Sequence, residues 1–262
     1  MMAPRLYTSR EIEKIKASGL IAYETHMHLR EHLKEGVSTY DLDRYASEFI
    51  AGKGAIAAFK GFKGFPGSIC ASINDVVVHG IPRKEDVLKN GDIIGIDIGI
   101  LYDGYYSDTA WTWPVGEVPE KVKDLIRSTQ RSLYKGIREA RAGNRIGAIG
   151  HSVQSYVEER GFSVVRSLVG HGVGKSVHEE PQVPNFGRKK SGLPIKDGWV
   201  LAIEPMINEG VYDVFTDNDN WSVRTKDGQL SAHFEHTVAV TAGGPVICTA
   251  PDQEMIDVFE LI

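Results

Sequence analysis

The chain is short of cysteine, with only Cys70 and Cys248 among its 262 residues. That excludes a disulfide-dense scaffold and any CxxC metal site, and makes a reducing compartment, the cytoplasm, the expectation. Long apolar runs are missing too: nothing approaches the ~20 residues a membrane-spanning helix needs. Met1 to Lys14 carry charges but no signal-peptide apolar core. There is no excess of positive charge, and a net charge of −5 gives no electrostatic case for nucleic-acid or membrane partners. No linker or low-complexity tract divides the sequence. What is present is ordinary globular material, 42% hydrophobic and 25% charged, enough for a sizeable core in an α/β chain of this length.

The punctuation is helical at two places. Thr8-x-x-Glu11 is a capping box, and Ile12, Ile15, Gly19, Ala22, His26, Leu29 and Leu33 follow at helical spacing, with Gly36 as the closing residue. A second helix spans about Thr39 to Gly52. The order then recurs: Pro119 fits a first-turn position, Val122, Leu125, Ile126, Leu133 and Ile137 form a buried stripe, and a partner helix runs from about Gly147 to Arg160. Leu42, Ala46, Phe49, Ile50 and Gly54 align at one constant offset with Ile149, Val153, Tyr156, Val157 and Gly161. A short strand candidate follows each, Ala55 to Phe59 and Phe162 to Val165. This suggests two α-α-β halves, roughly 1–115 and 116–262, within one catalytic domain over 1–262, with helices outside a mixed, mainly antiparallel sheet and a site between the halves.

Between them, Ile93-Ile94-Gly95-Ile96-Asp97-Ile98-Gly99-Ile100 alternates with period two. Four isoleucines take one face; Gly95, Asp97 and Gly99 take the other. Asp103-Gly104 suits a two-residue type I′ turn. In that register Tyr102 opposes Tyr105, Gly99 opposes Asp108 and Ala110 opposes Asp97. Asp97 and Asp108 then share a face as diagonal neighbours, roughly 7–8 Å apart at the backbone. Two more acids interrupt apolar strand-like runs, Glu204 in Val200–Met206 and Glu235 in Phe234–Val240. Buried acids are costly unless paired or metal-bound. His171 is framed by Gly170 and Gly172. Together the five resemble the ligand set of a two-metal hydrolase. Their oxygen-rich chemistry suits Mn²⁺, Fe²⁺ or Co²⁺, and two such ions about 3.5–4 Å apart can activate water and clamp an amide carbonyl.

Other motifs fail on inspection. Gly174-Lys175-Ser176 resembles the end of a phosphate-binding loop, but Val169 stands where that pattern needs glycine. His178-Glu179-Glu180-Pro181-Gln182 lacks the second histidine of a zincin helix, and Pro181 would break that helix. His233-Phe234-Glu235 matches half of a deaminase motif whose PCxxC half is missing. No GxSxG elbow occurs.

The segments Asn74–Pro82, Asp97 with Asp108, Gly170-His171-Gly172, His178–Pro181, Ala202–Pro205 and Glu235-His236-Thr237 stand in the order found in the type I methionine aminopeptidases of peptidase family M24. The chain resembles that family along nearly its whole length. The resemblance implies the pseudo-twofold "pita-bread" fold, of α/β (α+β) class. It implies metal-dependent removal of the initiator methionine from nascent proteins when the second residue is small, a rule that leaves this chain's own Met1-Met2 start uncut. By motif, Asp97 chelates one ion, Asp108 and Glu235 bridge both, and His171 with Glu204 completes the other. Glu204 also accepts the proton of the attacking water, and His79 and His178 contact the scissile amide. Phe59, Phe62, Phe65, Cys70 and Trp221 match the methionine-pocket positions, although several relatives carry Cys or Tyr where Phe59, Phe62 and Phe65 stand, and Val177 replaces an aromatic. Asn74, Val76 and Ser231 match positions that bind Na⁺ or K⁺. Two divalent ions (Co, Mn or Fe, with Zn or Ni as further candidates), nascent Met-peptides as partners, contact with the ribosome and a monomeric state belong to the same expectation.

Two rival readings follow. A proline-specific peptidase of the same fold uses the same five ligands but usually carries an N-terminal domain, for which this chain has no room ahead of its first helix. A non-catalytic binding module of the same fold typically loses metal ligands, and all five are here. The short interval from His171 to Glu204 lacks the insertion of the type II enzymes, and no zinc-binding or basic extension precedes residue 8.

Overall fold

The computed structural model describes residues 3–255 and 257–261. Met1 and Met2, on which the expectation of an uncut start rests, lie outside the described residues. Thr8 caps the first helix, α1 (Ser9–Arg30), with both bonds of the capping box formed. The helix ends at Arg30, well before the expected Gly36. His32 and Leu33 close tighter three-residue bonds to Leu29 and Arg30, and the Gly36 N–H leaves the helix axis to donate to the Leu88 carbonyl. α2 runs Thr39–Gly52, capped by the Ser38 hydroxyl. α3 (Glu120–Glu139) begins one residue after Pro119, which is its N-cap, and α4 runs Ile146–Glu158.

The repeat read from the sequence extends into detail. Leu42, Ala46 and Ile50 are buried on α2, and Ile149, Val153 and Val157 on α4. Each helix carries a cation over its matched aromatic, Lys53 over Phe49 and Arg160 over Tyr156. Gly54 and Gly161 end the two units with φ of +69° and +80°. The next residues, Ala55 and Phe162, both return an N–H to the helix, onto Ile50 and Val157 at 3.2 Å. The strands that follow are shorter than expected, Ile56–Ala57 and Ser163–Val164. Ala58 N–H still bonds Gly99, but the next residues turn away so that Phe59 can point into a cavity.

All strand pairs among the described residues are antiparallel, in four hydrogen-bonded sheets. Two of these position the site. In the first, the strand Ile93–Tyr102 pairs with Tyr105–Pro114 along one edge and with Ile56–Ala57 and Cys70–Ile73 along the other. The hairpin has the expected register, with Tyr102 opposite Tyr105, Gly99 opposite Asp108 and Asp97 opposite Ala110. Asp103 and Gly104 take the positive φ of a type I′ turn, 47° and 76°. The second sheet orders Gly244–Ile247, His236–Thr241, Val200–Ile203, Gly170–Gly172 and Glu179–Val183. α1 packs across the hairpin, while α3 and α4 pack on each other and against the second half's strands. One contiguous core passes from Leu42 and Ile50 through Ile94, Ile96 and Trp113 to Ile149, Ile203 and Phe234, and so joins both halves.

Candidate metal centre

Polar stitches hold the two sheets together. The Asp108 N–H donates to Thr237 Oγ1, and that hydroxyl donates back to the Asp108 carbonyl, at 2.9 and 2.8 Å. Thr109 Oγ1 donates to the Glu235 carbonyl, and the Glu235 N–H to the Ala110 carbonyl, both at 2.7 Å. These bonds tie the hairpin's two acids to the strand break that carries Glu235. Glu204 leaves the end of Val200–Ile203 just before Pro205, and its carbonyl accepts from Asn185 Nδ2 at 2.9 Å. His171 sits mid-strand between Gly170 and Gly172. A Cβ at either glycine would lie 2.3 Å from a neighbouring carbonyl oxygen, so only glycine lets these strands close around the imidazole.

The side chains converge. Ligand atoms of Asp108, His171 and Glu235 lie within 4.8 Å of one another. The carboxyl groups of Asp97 and Asp108 meet, and Glu204 Oε1 lies 3.4 Å from His171 Nε2. All five residues expected as ligands therefore stand in one cluster. Their chemistry fits divalent ions on two counts. Asp97 Oδ1, Asp108 Oδ1 and Glu235 Oε1 are buried with no hydrogen-bond partner, a cost a protein rarely carries without a compensating charge. The His171 Nδ1–H donates to the Gly172 carbonyl at 2.9 Å, which fixes the tautomer and leaves the Nε2 lone pair facing the carboxylates.

Burial raises the pKa of all four acids, and mutual repulsion adds to the shift at Asp108 and Glu235, which stand well above the usual carboxylate range. Desolvation works the other way on the imidazoles: His171 falls to about 3, and His79 and His178 to about 4. At neutral pH these rings are uncharged.

The cluster lies in a cavity of about 1010 Å³, lined also by Phe59, Phe62, Phe65, Cys70, His79, His178 and Trp221. Phe59, Phe65, Cys70 and Val177 form one buried apolar group. Phe65 meets Trp221 edge-on at 5.2 Å, and Phe59 lies so close to Gly99 that a Cβ there would come within 2.6 Å of its ring. Phe62 stacks on His178 at 5.4 Å, and His178 meets His171 at 4.2 Å. His79 holds a left-handed φ of +59°, an uncommon state for a residue with a Cβ and one that clusters at functional sites. Next to it, Gly80 passes so close to Ala71 that any side chain would clash.

Asn74 and Ser231 come together, Val76 pairs with Arg224 two residues further on, and none of the three lines that cavity. The Ser231 N–H donates to the Asn74 carbonyl at 2.9 Å, and Asn74, at φ +55°, directs its side chain to Asp92 and Ile93. The false phosphate loop proves to be occupied by the chain itself: the Lys175 and Ser176 N–H groups cradle the Glu179 carboxylate at 2.7 and 2.9 Å. Glu179–Val183 is a strand, not a zincin helix. Sequence reasoning missed two residues at the site. Lys63 lines the cavity with its ammonium over the Phe62 ring. His233 is buried with Nε2 3.7 Å from Glu204 Oε2. No local pattern marks His233, because the group that gives the ring its setting, Glu204, comes from another strand.

Residues 13–242 match metallopeptidase family M24. The chain is 51% identical to methionine aminopeptidase 1 of Bacillus subtilis over 242 residues, 92% of this chain and 97% of the relative. The crystal structure of methionine aminopeptidase from Rickettsia prowazekii, 43% identical, superposes with a TM-score of 0.93 over 95% of this chain and all of that one. The prolidase from Pyrococcus furiosus, at 22% identity and a TM-score of 0.77 over 95% of this chain and 66% of its own, shares the fold alone. The fold is thus the pita-bread arrangement that the family resemblance implied and the duplicated halves agree with, and the chain belongs to metallopeptidase family M24, among its methionine aminopeptidases.

Proposed function

We propose that this protein removes the N-terminal methionine from new polypeptides whose second residue is small. The observation that carries the reading is the convergence of four carboxyl groups and an imidazole, all suited to holding metal, beside one apolar, aromatic-walled pocket. Asp97, Asp108, His171, Glu204 and Glu235 would hold two divalent ions, with Mn²⁺, Fe²⁺ or Co²⁺ favoured over Zn²⁺ or Ni²⁺ by the oxygen-rich set. When bound, such ions supply Lewis acidity toward the scissile carbonyl and toward water.

The chain's own groups do the rest. Phe59, Phe65, Cys70 and Trp221 bury the methionine thioether, for which aromatic edges and a thiol are favourable neighbours. Phe62 braces His178. Uncharged His79 and His178 offer N–H donors to the carbonyl oxygen as negative charge grows on it; such donors are typically worth ~2.7–4 kcal/mol each in the transition state. Glu204 accepts the proton of the attacking water and can return it to the leaving amine. Because the hairpin supplies two of the acids and the second sheet the other three groups, activity requires both halves, 1–115 and 116–262, as one domain. The Asn74, Val76 and Ser231 region would hold Na⁺ or K⁺ and brace the strand leading to Glu235. Nascent chains as substrates place the enzyme in the cytoplasm near the ribosome, acting as a monomer, and no described helix is long and apolar enough to cross a membrane.

The test is to strip the protein of metal and assay methionine release from Met-Ala-Ser with Mn²⁺, Fe²⁺ or Co²⁺ restored singly, beside an X-Pro peptide. Metal-dependent release from Met-Ala-Ser alone supports the reading. Cleavage of X-Pro alone reassigns the substrate, and no cleavage of either returns the chain to a binding role.

A further inference from the structure

One imidazole in the centre has no part in the steps above. The His233 side chain is 4% exposed, and its Nε2 is buried with no hydrogen-bond partner. The strand fixes where the ring points. The His233 N–H donates to Thr112 Oγ1 and its carbonyl accepts from the same hydroxyl, both at 2.8 Å, while His233 pairs with Met206 across the ladder. From that anchored backbone Nε2 faces Glu204 Oε2 at 3.7 Å, and Glu204 Oε1 lies 3.4 Å from His171 Nε2. The Glu204 carboxylate therefore spans two imidazoles that face it from different sheets. His171 has spent its proton on the Gly172 carbonyl and presents a lone pair. His233 has the opposite surroundings, with Glu204 and Asp97 as its acidic neighbours. A lone pair facing them would be repelled, whereas an Nε2–H is attracted, so its surroundings select the donor tautomer. Closing 3.7 Å to a hydrogen bond takes a shift of about 0.8 Å, within reach of a glutamate rotation.

We infer that His233 is a positioning residue whose Nε2–H holds Glu204 Oε2, so that Oε1 stays aimed at the metal centre and the reacting water. The inference rests on the proposed metal-binding reading of the five-residue cluster. Groups that orient a ligating carboxylate typically change metal affinity or activity by ~10–100-fold when removed.

The experiment compares chelator-stripped wild type, H233M, which keeps bulk without a donor, and H233Q, which keeps a donor. Each is titrated with Co²⁺ by calorimetry, and kcat and KM for Met-Ala-Ser are measured at saturating Co²⁺. H233M is expected to bind Co²⁺ about 10-fold more weakly and to lose kcat with KM held, and H233Q to recover most of both. H233A is the second donor-free variant if H233M does not fold. Unchanged Co²⁺ affinity and kcat without the donor overturn the inference. Equal losses in H233M and H233Q overturn it too, because they assign the ring to direct coordination. A wild type that binds no Co²⁺ instead refutes the metal-centre reading and takes the role of His233 with it.

Discussion

Without metal, the folded protein should lose stability as pH rises from about 7.5 to 8.5, and divalent ions should abolish that loss. A carboxyl whose native pKa is raised favours folding while it stays protonated; this stabilisation is present below the unfolded value and is lost as pH rises through the native one. Burial pushes Glu204 from 4.5 up to about 8, and Asp108 and Glu235 also stand well above their ordinary range. At pH 7 the unfolded chain has released these protons, and the metal-free native chain still holds at least one. Stability then falls by about 1.4 kcal/mol per pH unit for each such proton. The desolvated histidines pull the other way: buried His26, His171 and His236 are depressed to about 3, and half-buried His79 and buried His233 to about 4. Their contribution is present above the unfolded value of 6.5 and lost as pH falls through that region. At pH 7 the unfolded chain still holds about a quarter of a proton per histidine, so this contribution levels off only above about pH 7.5, where the acids set the slope. Urea unfolding at pH 7.5, 8.0 and 8.5, with chelator and with Mn²⁺, measures it directly. Chelated protein whose stability is flat or rises across that interval would refute the reasoning. E204Q should make the chelated slope shallower, since it removes one titrating group.

E204Q should lower kcat by ~10²–10⁴-fold, the usual worth of a general base, while chelated protein melts no lower than wild type. Steady-state kinetics and calorimetry check both halves of that expectation. H178A should cost ~10²–10³-fold in kcat through the lost donor, and circular dichroism should show the fold intact. Gly99→Ala places a methyl 2.6 Å from the Phe59 ring; the clash should destabilise by ~1–3 kcal/mol and, by displacing Phe59, raise KM for Met-Ala-Ser more than it lowers kcat. Thr237→Val strands the buried Asp108 N–H and should cost ~1–3 kcal/mol, with weakened Co²⁺ affinity as the sign that the hairpin has slipped from the second sheet.

What the sequence made legible was whatever local periodicity encodes. The hairpin register followed from alternation plus Asp103-Gly104, because a two-residue turn leaves the strands no other pairing, and it delivered Asp97 and Asp108 to one face as expected. The two α-α-β units were legible because an amphipathic helix repeats its buried positions, and the equivalence of Gly54 with Gly161 survives as matching left-handed turns. The short strands after them were overestimated. Apolar composition at Ala55 to Phe59 suits a strand, but Gly99 lets Phe59 abandon the ladder for the cavity, and that choice is made by a residue on another strand. The same non-local logic hid His233. Its neighbour Glu235 advertised itself as an acid in an apolar run, whereas a histidine in such a run is chemically unremarked until the fold sets Glu204 beside it. The acids could be read because burying them alone is costly; the imidazole beside one of them becomes visible only when the strand Ser231–His233, which lies in a further sheet, is set against Glu204.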